Sequence, residues 1–288
     1  MIEERAESVG FAALKQAVTE MSESYRVGRV VCTPEAYLVT RMPATYAAAW
    51  KVLRELRDMP VRNVLDIGAG TGAASLAARE FFPDATITMI ERDAAWSGIA
   101  REWLADASMV TGDVVSMRAL PAHDLVIAAY SLGELRESIT ARLWEAARVA
   151  LVVIEPGTPS GFARVRGMRA ELLAAGGHIA APCPGGVACP MDGRDWCHFA
   201  ARVERSSLHR RMKDAELGYE DEKYSYVAVT REPVEPAAAR ILRRPRHQPG
   251  FITLETCTPE GLRTERIGKR DRDRFRQARQ ASWGDPLS

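Results

Sequence analysis

The feature that most constrains this fold is an apolar strand that runs into a glycine-rich loop and continues as a helix. Residues 64–73 read VLDIGAGTGA. Glycines allow the backbone to approach a ligand closely, and the first turn of the following helix offers free N–H groups. The pattern therefore predicts a nucleotide-type binding loop at the carboxyl end of a strand in an α/β sheet.

Strands and helices alternate around this loop. Apolar runs predict strands at 61–67, 85–90, 124–129 and 151–154, with a short strand before position 113. Apolar residues at helical spacing predict helices at 6–25, 43–58, 73–81, 134–150 and 161–175. Strands alternating with helices in this way predict an α/β fold with a parallel, doubly wound, Rossmann-like sheet.

The alternation also suggests how the chain is divided. We expect a helical N-terminal lobe at 1–58 and a Rossmann-like ligand-binding domain at 59–177. Residues 178–288 are expected to form a C-terminal lobe, because the regular pattern ends there and a cysteine-rich segment begins.

Acidic residues lie at or just after the carboxyl ends of three of the predicted strands. A carboxylate at Asp66 would repel a pyrophosphate but suits S-adenosylmethionine (SAM), which carries an ammonium and a sulfonium group. Glu91 could accept both ribose hydroxyls, and Asp113 could meet the adenine amino group. The alternative is that these acids are ordinary polar caps at strand ends. We predict a SAM pocket formed by Asp66, Gly68, Ala69, Gly70, Gly72, Glu91 and Asp113.

Composition excludes several classes of protein. The chain of 288 residues is 47% hydrophobic and 27% charged, as in ordinary globular proteins. It contains no run of 18 apolar residues, and its acidic first residues lack the apolar core of a signal peptide. We therefore expect a cytoplasmic, monomeric protein with reduced thiols and no membrane contact.

Four of the five cysteines lie in the C-terminal part of the chain, from residue 183 onward. Cys183, Cys189 and Cys197 follow a C-x5-C-x7-C spacing in a segment rich in proline and glycine, and Cys257 follows 60 residues later. Such a loop can wrap one metal ion or cluster, and the spacing is not that of a zinc ribbon. The residues alone leave open an iron–sulfur cluster, a zinc ion, or buried cysteines without metal.

The region 240–280 is basic, with 12 Lys or Arg residues against 5 Asp or Glu. A local charge of +7 in a chain of net charge +1 suggests contact with a polyanion such as RNA, centred on 240–246 and 263–279. The alternative is a solvated, salt-bridged helical tail.

Several motifs together resemble the methyltransferase-like ribosomal small-subunit assembly family. The resemblance extends from AYLVTRMPATY at 36–46 to WGDP at 283–286. Between them lie the glycine loop, the cysteine segment and four shorter motifs: LGEL at 132–135, EPGTP at 155–159, YEDEKYSY at 219–226 and CTPEG at 257–261.

This resemblance implies a 4Fe–4S cluster held by Cys183, Cys189, Cys197 and Cys257, in a C-terminal metal-cluster lobe, with zinc as the alternative. It also implies a Rossmann-like SAM-methyltransferase fold, and partnership with the ribosomal small subunit and its rRNA.

Whether such a protein transfers a methyl group is a separate question. Enzymes that methylate exocyclic amines commonly carry an Asn/Asp/Ser-Pro-Pro-Tyr/Phe tetrapeptide after the fourth strand. Residues 129–132 of this chain read AYSL instead. The polar candidates beside the methyl group are Tyr130, Ser131 and Glu134. The sequence is therefore compatible with an rRNA methyltransferase or with a non-catalytic, RNA-binding assembly factor. An iron–sulfur redox enzyme is a third, weaker hypothesis, because a flavin motif and a second cluster motif are missing.

Overall fold

The computed structural model describes residues 9–26, 32–135, 138–185, 188–191 and 193–287. It begins with three helices, α1 (Phe11–Arg26), α2 (Pro34–Thr40) and α3 (Met42–Leu53), and a 3-10 turn at Arg54–Leu56. Thr33 caps α2, since its hydroxyl accepts a hydrogen bond from the backbone N–H of Ala36. The helices predicted at 6–25 and 43–58 are present as α1 and α3, although residues 6–8 lie outside the described residues.

The central sheet contains eight strands. They are β1 (Asn63–Ile67), β2 (Thr86–Glu91), β3 (Ser108–Thr111), β4 (His123–Ala129), β5 (Ala147–Pro156), β6 (His178–Ala181), β7 (Phe199–Glu204) and β8 (Tyr219–Thr230). Their order is β3-β2-β1-β4-β5-β8-β6, and β7 pairs with β8 as well. The first five strands are parallel, whereas β8 runs antiparallel to its three neighbours.

Helices cover both faces of this sheet. One face carries α3, α4 (Ala73–Phe81) and α5 (Ala94–Trp103), and the other carries α6 (Thr140–Ala146) and α7 (Pro159–Ala174). Alternate residues of the buried strands pack into these two layers, so both faces of the sheet exclude water. The predicted α/β, doubly wound sheet is confirmed. A short helix, α8 (Ser207–Met212), connects β7 to β8.

Two sequence predictions within this sheet were wrong. The helix expected over 134–150 is limited to α6, and Ala147 already begins β5, opposite His123 of β4. The run RVALVVIE favours a buried strand because β-branched residues fit a pleated sheet, and this outweighs the helical spacing before it. The sheet is also not entirely parallel, since β8 inserts in the opposite direction between β5 and β6.

A smaller antiparallel sheet completes the chain. It contains β9 (Ala239–Ile241), β10 (Arg246–Gln248), β11 (Phe251–Thr258), β12 (Gly261–Gly268) and β13 (Pro286–Leu287). Helix α9 (Arg272–Gln280) packs on β11 and β12 over a small core of its own. The boundary predicted at 177 lies within the central sheet, which continues through β8, and the three-part division stays a prediction.

Candidate cofactor and cysteine sites

The glycine loop between β1 and α4 needs its glycines. Gly68, Gly70 and Gly72 have φ angles of +64°, +55° and +80°, in the left-handed region that other residues rarely adopt. A Cβ on Gly68 would lie 2.5 Å from Cβ of Ser131. The loop is therefore shaped both by its backbone conformation and by the close approach of the chain that follows β4.

The end of β2 holds this loop in place. The N–H groups of Gly68 and Ala69 donate to the carbonyl of Ile90, at 2.9 and 3.1 Å. The next glycine, Gly70, donates its N–H to Oε2 of Glu91 at 2.9 Å. The Glu91 carboxylate therefore lies directly against the glycine loop, where a ligand on that loop would meet it.

The other two predicted acids lie at the same edge of the sheet. Asp113 follows β3 and accepts a hydrogen bond from the N–H of Val115 at 2.9 Å. Asp66 in β1 is only 1% exposed. Its Oδ2 accepts hydrogen bonds from the hydroxyl and the N–H of Ser75, at 2.7 and 3.1 Å. Burial raises the pKa of Asp66 to about 6, against the lowering effect of these bonds.

The candidate catalytic residues separate into two groups. Ser131 lies against Gly68 of the glycine loop, and the preceding Tyr130 donates its backbone N–H to Ile154 of β5. Glu134, by contrast, is exposed and lies 3.9 Å from Arg92. Ser131 Oγ is buried, as is Oγ1 of Thr71 in the loop, and neither has a hydrogen-bond partner among the described residues. These two hydroxyls and the glycine cradle fit a polar ligand such as SAM, which the structure does not contain.

A partly buried polar cluster includes Tyr130 and was missed by sequence reasoning. Arg41, which follows α2, donates two hydrogen bonds of 2.9 Å to the two carboxylate oxygens of Glu222 in β8. The Tyr130 hydroxyl donates to the same carboxylate at 3.1 Å, and Tyr130 has a φ angle of +57°. Arg41 lies in the AYLVTRMPATY motif and Glu222 in the YEDEKYSY motif. These motifs were the sequence feature that could have pointed to the pair.

The EPGTP motif connects the central sheet to the cysteine segment. Gly157 donates its N–H to the carbonyl of Lys223, and a Cβ on Gly157 would lie 2.7 Å from that carbonyl carbon. The carbonyl of Gly157 accepts a hydrogen bond of 2.8 Å from the indole N–H of Trp196. This glycine therefore positions the residue that immediately precedes Cys197.

The four C-terminal cysteines line one cavity of about 320 Å³. Three of them, Cys183, Cys189 and Cys197, belong to the connection between β6 and β7, and Cys257 lies in β11 of the smaller sheet. The structure thus brings together the four thiols that the sequence grouped, from two distant parts of the chain. Gly186, Val187 and Asp192 of the connection lie outside the described residues.

Burial raises the pKa of three of these thiols. It raises the pKa of Cys183 and Cys197, and the neighbouring thiols raise the pKa of Cys197 further. The pKa of Cys257 is raised to about 11, again mainly by burial. Within the described residues, no three His, Cys, Asp or Glu side chains form a group that could hold a metal ion.

Two arginines from different elements also line this cavity. Arg169 of α7 donates from Nε to Sγ of Cys183 at 3.3 Å. Arg240 of β9 donates to the carbonyls of Pro182 and Gly284, at 2.8 and 2.9 Å. Arg169 is 5% exposed and Arg240 is 2% exposed, so both guanidinium groups belong to the interior.

The position of Arg240 corrects one sequence prediction. Arg240 was expected on an RNA-binding surface, yet it is buried and forms an ion pair of 3.0 Å with Glu55. The other arginines of 240–246 each form an ion pair with a carboxylate at the surface: Arg243 with Asp195, Arg244 with Asp221, and Arg246 with Glu255.

The strand order, the glycine loop and the row of acids at the carboxyl ends of β1 to β3 define a Rossmann-like methyltransferase fold. Within this class, the family model described as mitochondrial small ribosomal subunit Rsm22 matches residues 32–288. The chain belongs to this family.

Solved methyltransferase structures are similar to the chain at low identity. Precorrin-6y C5,15-methyltransferase from Geobacter metallireducens is 17% identical, with a TM-score of 0.43 over 63% of this chain and 86% of its own. Magnesium protoporphyrin IX methyltransferase from Synechocystis, solved with bound SAM, is 15% identical, with a TM-score of 0.43 over 74% and 84%. None of the curated proteins matches the chain. In the described residues, no helix has the length and apolarity needed to cross a membrane.

Proposed function

We propose that the chain is a SAM-binding, iron–sulfur methyltransferase-like protein that acts on small-subunit ribosomal RNA or on its assembly. The observation that carries the proposal is the cavity lined by four thiols from two distant segments, in a chain that also has a methyltransferase-type glycine loop. The family's association with the small ribosomal subunit supplies the proposed partner.

The proposed SAM site rests on Asp66, Glu91 and Asp113. Their positions along the edge of three neighbouring strands match the three polar parts of the cofactor: the amino acid, the ribose and the adenine. Glu91 keeps lone pairs for ribose hydroxyls, because each of its oxygens accepts one backbone N–H, from Gly70 and Asp93. SAM would supply an electrophilic methyl group, and the protein would position it.

The proposed 4Fe–4S cluster would be held by Cys183, Cys189, Cys197 and Cys257. A single zinc ion requires its sulfurs at about 2.3 Å from one point. A 4Fe–4S cluster takes four cysteine thiolates, and here four thiols line one cavity of about 320 Å³. The cluster would tie the loop between β6 and β7 to the smaller sheet.

The second candidate function is that of an assembly factor without methyl transfer. It is favoured by the cluster of Arg41, Glu222 and Tyr130. The Tyr130 hydroxyl donates to Glu222, whose carboxylate also holds Arg41, so Tyr130 is part of an ion-pair cluster with a structural role of its own. Glu134 is exposed, which further reduces the set of polar groups beside the methyl position.

The proposed RNA surface lies on the smaller sheet and α9. Of the cations there, Lys269, Arg270 and Arg272 are exposed and form none of the ion pairs found in the described part of the chain. Exposed cations without a carboxylate partner are available to phosphates, whereas those of 240–246 must first exchange their partners. The proposed contact therefore centres on residues 269–272.

Anaerobic purification followed by iron, sulfide and zinc analysis tests the cluster. We expect a brown protein with about four irons and four sulfides per chain, and stoichiometric zinc without iron would refute the assignment.

Titration calorimetry with SAM tests the cofactor. Methylation of small-subunit RNA by purified protein, assayed with labelled SAM, separates the two candidate functions.

A further inference from the structure

The loop that follows β3 carries Asp113, and hydrogen bonds within the loop hold this residue in place. Oδ1 of Asp113 accepts the backbone N–H of Val115 at 2.9 Å, and further lone pairs of the carboxylate remain for a ligand. The carbonyl of Asp113 accepts the N–H of Ser116 at 3.1 Å. Gly112 donates its N–H to the carbonyl of Glu91 at 3.0 Å, which places the loop beside the end of β2.

Arg142 of α6 contacts the same loop from outside. Its Nη2 donates to the carbonyl of Val114 at 2.8 Å and also to the carbonyl of Met117. Its Nη1 donates to the carbonyl of Val115 at 3.2 Å. A guanidinium presents five N–H groups in one plane, so a single arginine can bind several carbonyls in a fixed arrangement. The neighbouring Leu143 is buried in the core of the central sheet, so the helix that carries Arg142 is fixed to that core.

Two of these carbonyls belong to the peptide units that hold Asp113. The carbonyl of Val114 and the N–H of Val115 are the two ends of one planar peptide unit, and that N–H donates to the Asp113 carboxylate. The carbonyl of Val115 and the N–H of Ser116 belong to the next unit, and that N–H donates to the Asp113 carbonyl. Arg142 therefore fixes the orientation of both N–H groups, and hydrogen bonds joined through a peptide unit strengthen one another.

The side chains of the loop supply a different kind of contact. Val114 is buried in the apolar core of the central sheet, and Val115 and Met117 pack against that core. Apolar packing is non-directional, so it holds the loop on the core without setting the direction of its carbonyls. The direction comes from the guanidinium of Arg142.

We infer that Arg142 is a positioning residue for recognition of the cofactor's adenine: by binding the carbonyls of Val114 and Val115, it holds the Asp113 carboxylate in the orientation that accepts the adenine amino group. This inference rests on the proposed function, in which Asp113 meets the adenine of SAM. Arg142 binds the loop and not the cofactor. Its loss should therefore act on the selectivity for adenine more than on the parts of the site formed by Glu91 and the glycine loop.

The experiment compares Arg142→Met, Arg142→Lys and Arg118→Met with the parent protein. Arg118 follows Met117 and is exposed, so Arg118→Met makes the same change of charge and leaves the contacts of Arg142 in place. It is the matched control. Calorimetry measures the affinity of each protein for S-adenosylhomocysteine and for S-inosylhomocysteine, in which an oxygen replaces the adenine amino group. The readout is the ratio of the two affinities, because a general loss of stability would leave this ratio unchanged.

We expect the parent to prefer the adenine compound by at least about tenfold, because the inosine compound has no amino group to donate to Asp113. Arg142→Met should reduce this preference severalfold. Arg142→Lys keeps the charge but lacks the planar fork, so it should lose less of the preference, and Arg118→Met should match the parent. In an Asp113→Ala background, Arg142→Met should change the ratio little further, because both residues act through the same carboxylate.

A parent that prefers the adenine compound, with the same ratio in Arg142→Met, overturns this inference alone. A parent that binds neither compound overturns the SAM site together with it, and one that binds both equally overturns Asp113 as the adenine ligand and with it the role of Arg142. If Arg142→Met does not fold, as judged by circular dichroism, Arg142→Lys decides: an unchanged preference would overturn the role of the guanidinium.

Discussion

The carboxylate of Asp66 should make the stability of the protein depend on pH, and Asp66→Asn should remove that dependence. Asp66 is buried at the end of β1, and burial raises its pKa from 3.8 to about 6. The folded state therefore holds the proton more tightly than the unfolded chain does. Through this group, stability is highest below about pH 4, decreases as the pH rises through 6, and then stays constant.

The magnitude follows from the size of the pKa change. A shift from 3.8 to about 6 corresponds to roughly 3 kcal/mol, at about 1.4 kcal/mol per pKa unit. Asparagine carries no charge, and its side-chain oxygen can still accept both hydrogen bonds from Ser75. Asp66→Asn should therefore be more stable than the parent by up to about 3 kcal/mol at pH 7, and equally stable near pH 4.

Urea unfolding between pH 4 and 8 measures this difference. As a control, Ser75→Ala removes a hydroxyl that lowers the pKa of Asp66, so the decrease in stability should move to higher pH. Parallel pH curves for parent and Asp66→Asn would refute the reasoning. If SAM places its ammonium near Asp66, as proposed, saturating SAM should flatten the parent's curve, and Asp66→Asn should bind SAM more weakly at pH 7.

Three further changes test other parts of the fold and the proposed sites. Glu91→Ala should weaken SAM binding by about 1.5–3 kcal/mol in calorimetry, because charge-assisted hydrogen bonds are lost, and unchanged affinity would exclude Glu91 as the ribose ligand. Gly157→Ala should destabilise the protein by about 1–3 kcal/mol in thermal unfolding, since its Cβ would overlap Lys223; Gly167→Ala, in an open part of α7, should stabilise it by about 0.5–1 kcal/mol. Replacing Lys269, Arg270 and Arg272 with alanine should reduce the salt slope of RNA binding by about one unit per lost phosphate contact. Arg276→Ala, which removes an arginine already paired with Asp273, should change the slope less, and an equal change would show that the pairing is irrelevant.

The glycine loop and the parallel strands were predictable because their signals are local. A strand, three glycines and a helix follow one another within residues 63–81, and no distant residue is needed to interpret them. The helix predicted over 134–150 failed because tertiary pairing decided the outcome. From Ala147 onward the chain pairs with β4, and periodicity alone does not reveal that partner.

The polar residues were predictable only where chemistry and position coincide. Acids at strand ends pointed to Asp66, Glu91 and Asp113, and a cysteine spacing pointed to one site. Counting charges could not show that Arg240 is buried. An arginine counts the same whether it lies on the surface or, like Arg240, in an internal ion pair with Glu55. The pairing of Arg41 with Glu222 joins residues 181 positions apart, and no local pattern connects them.

These long-range ion pairs also bear on how the chain is completed during synthesis. Arg41 and Glu55 leave the ribosome early, but their partners Glu222 and Arg240 follow 181 and 185 residues later. Domains generally fold from the N-terminus as they are synthesised, and closing so long a loop is entropically unfavourable until other contacts support it. The first helices made should therefore be among the last parts to reach their final packing, and a nascent chain that stops before residue 222 should leave them exposed to chaperones and proteases.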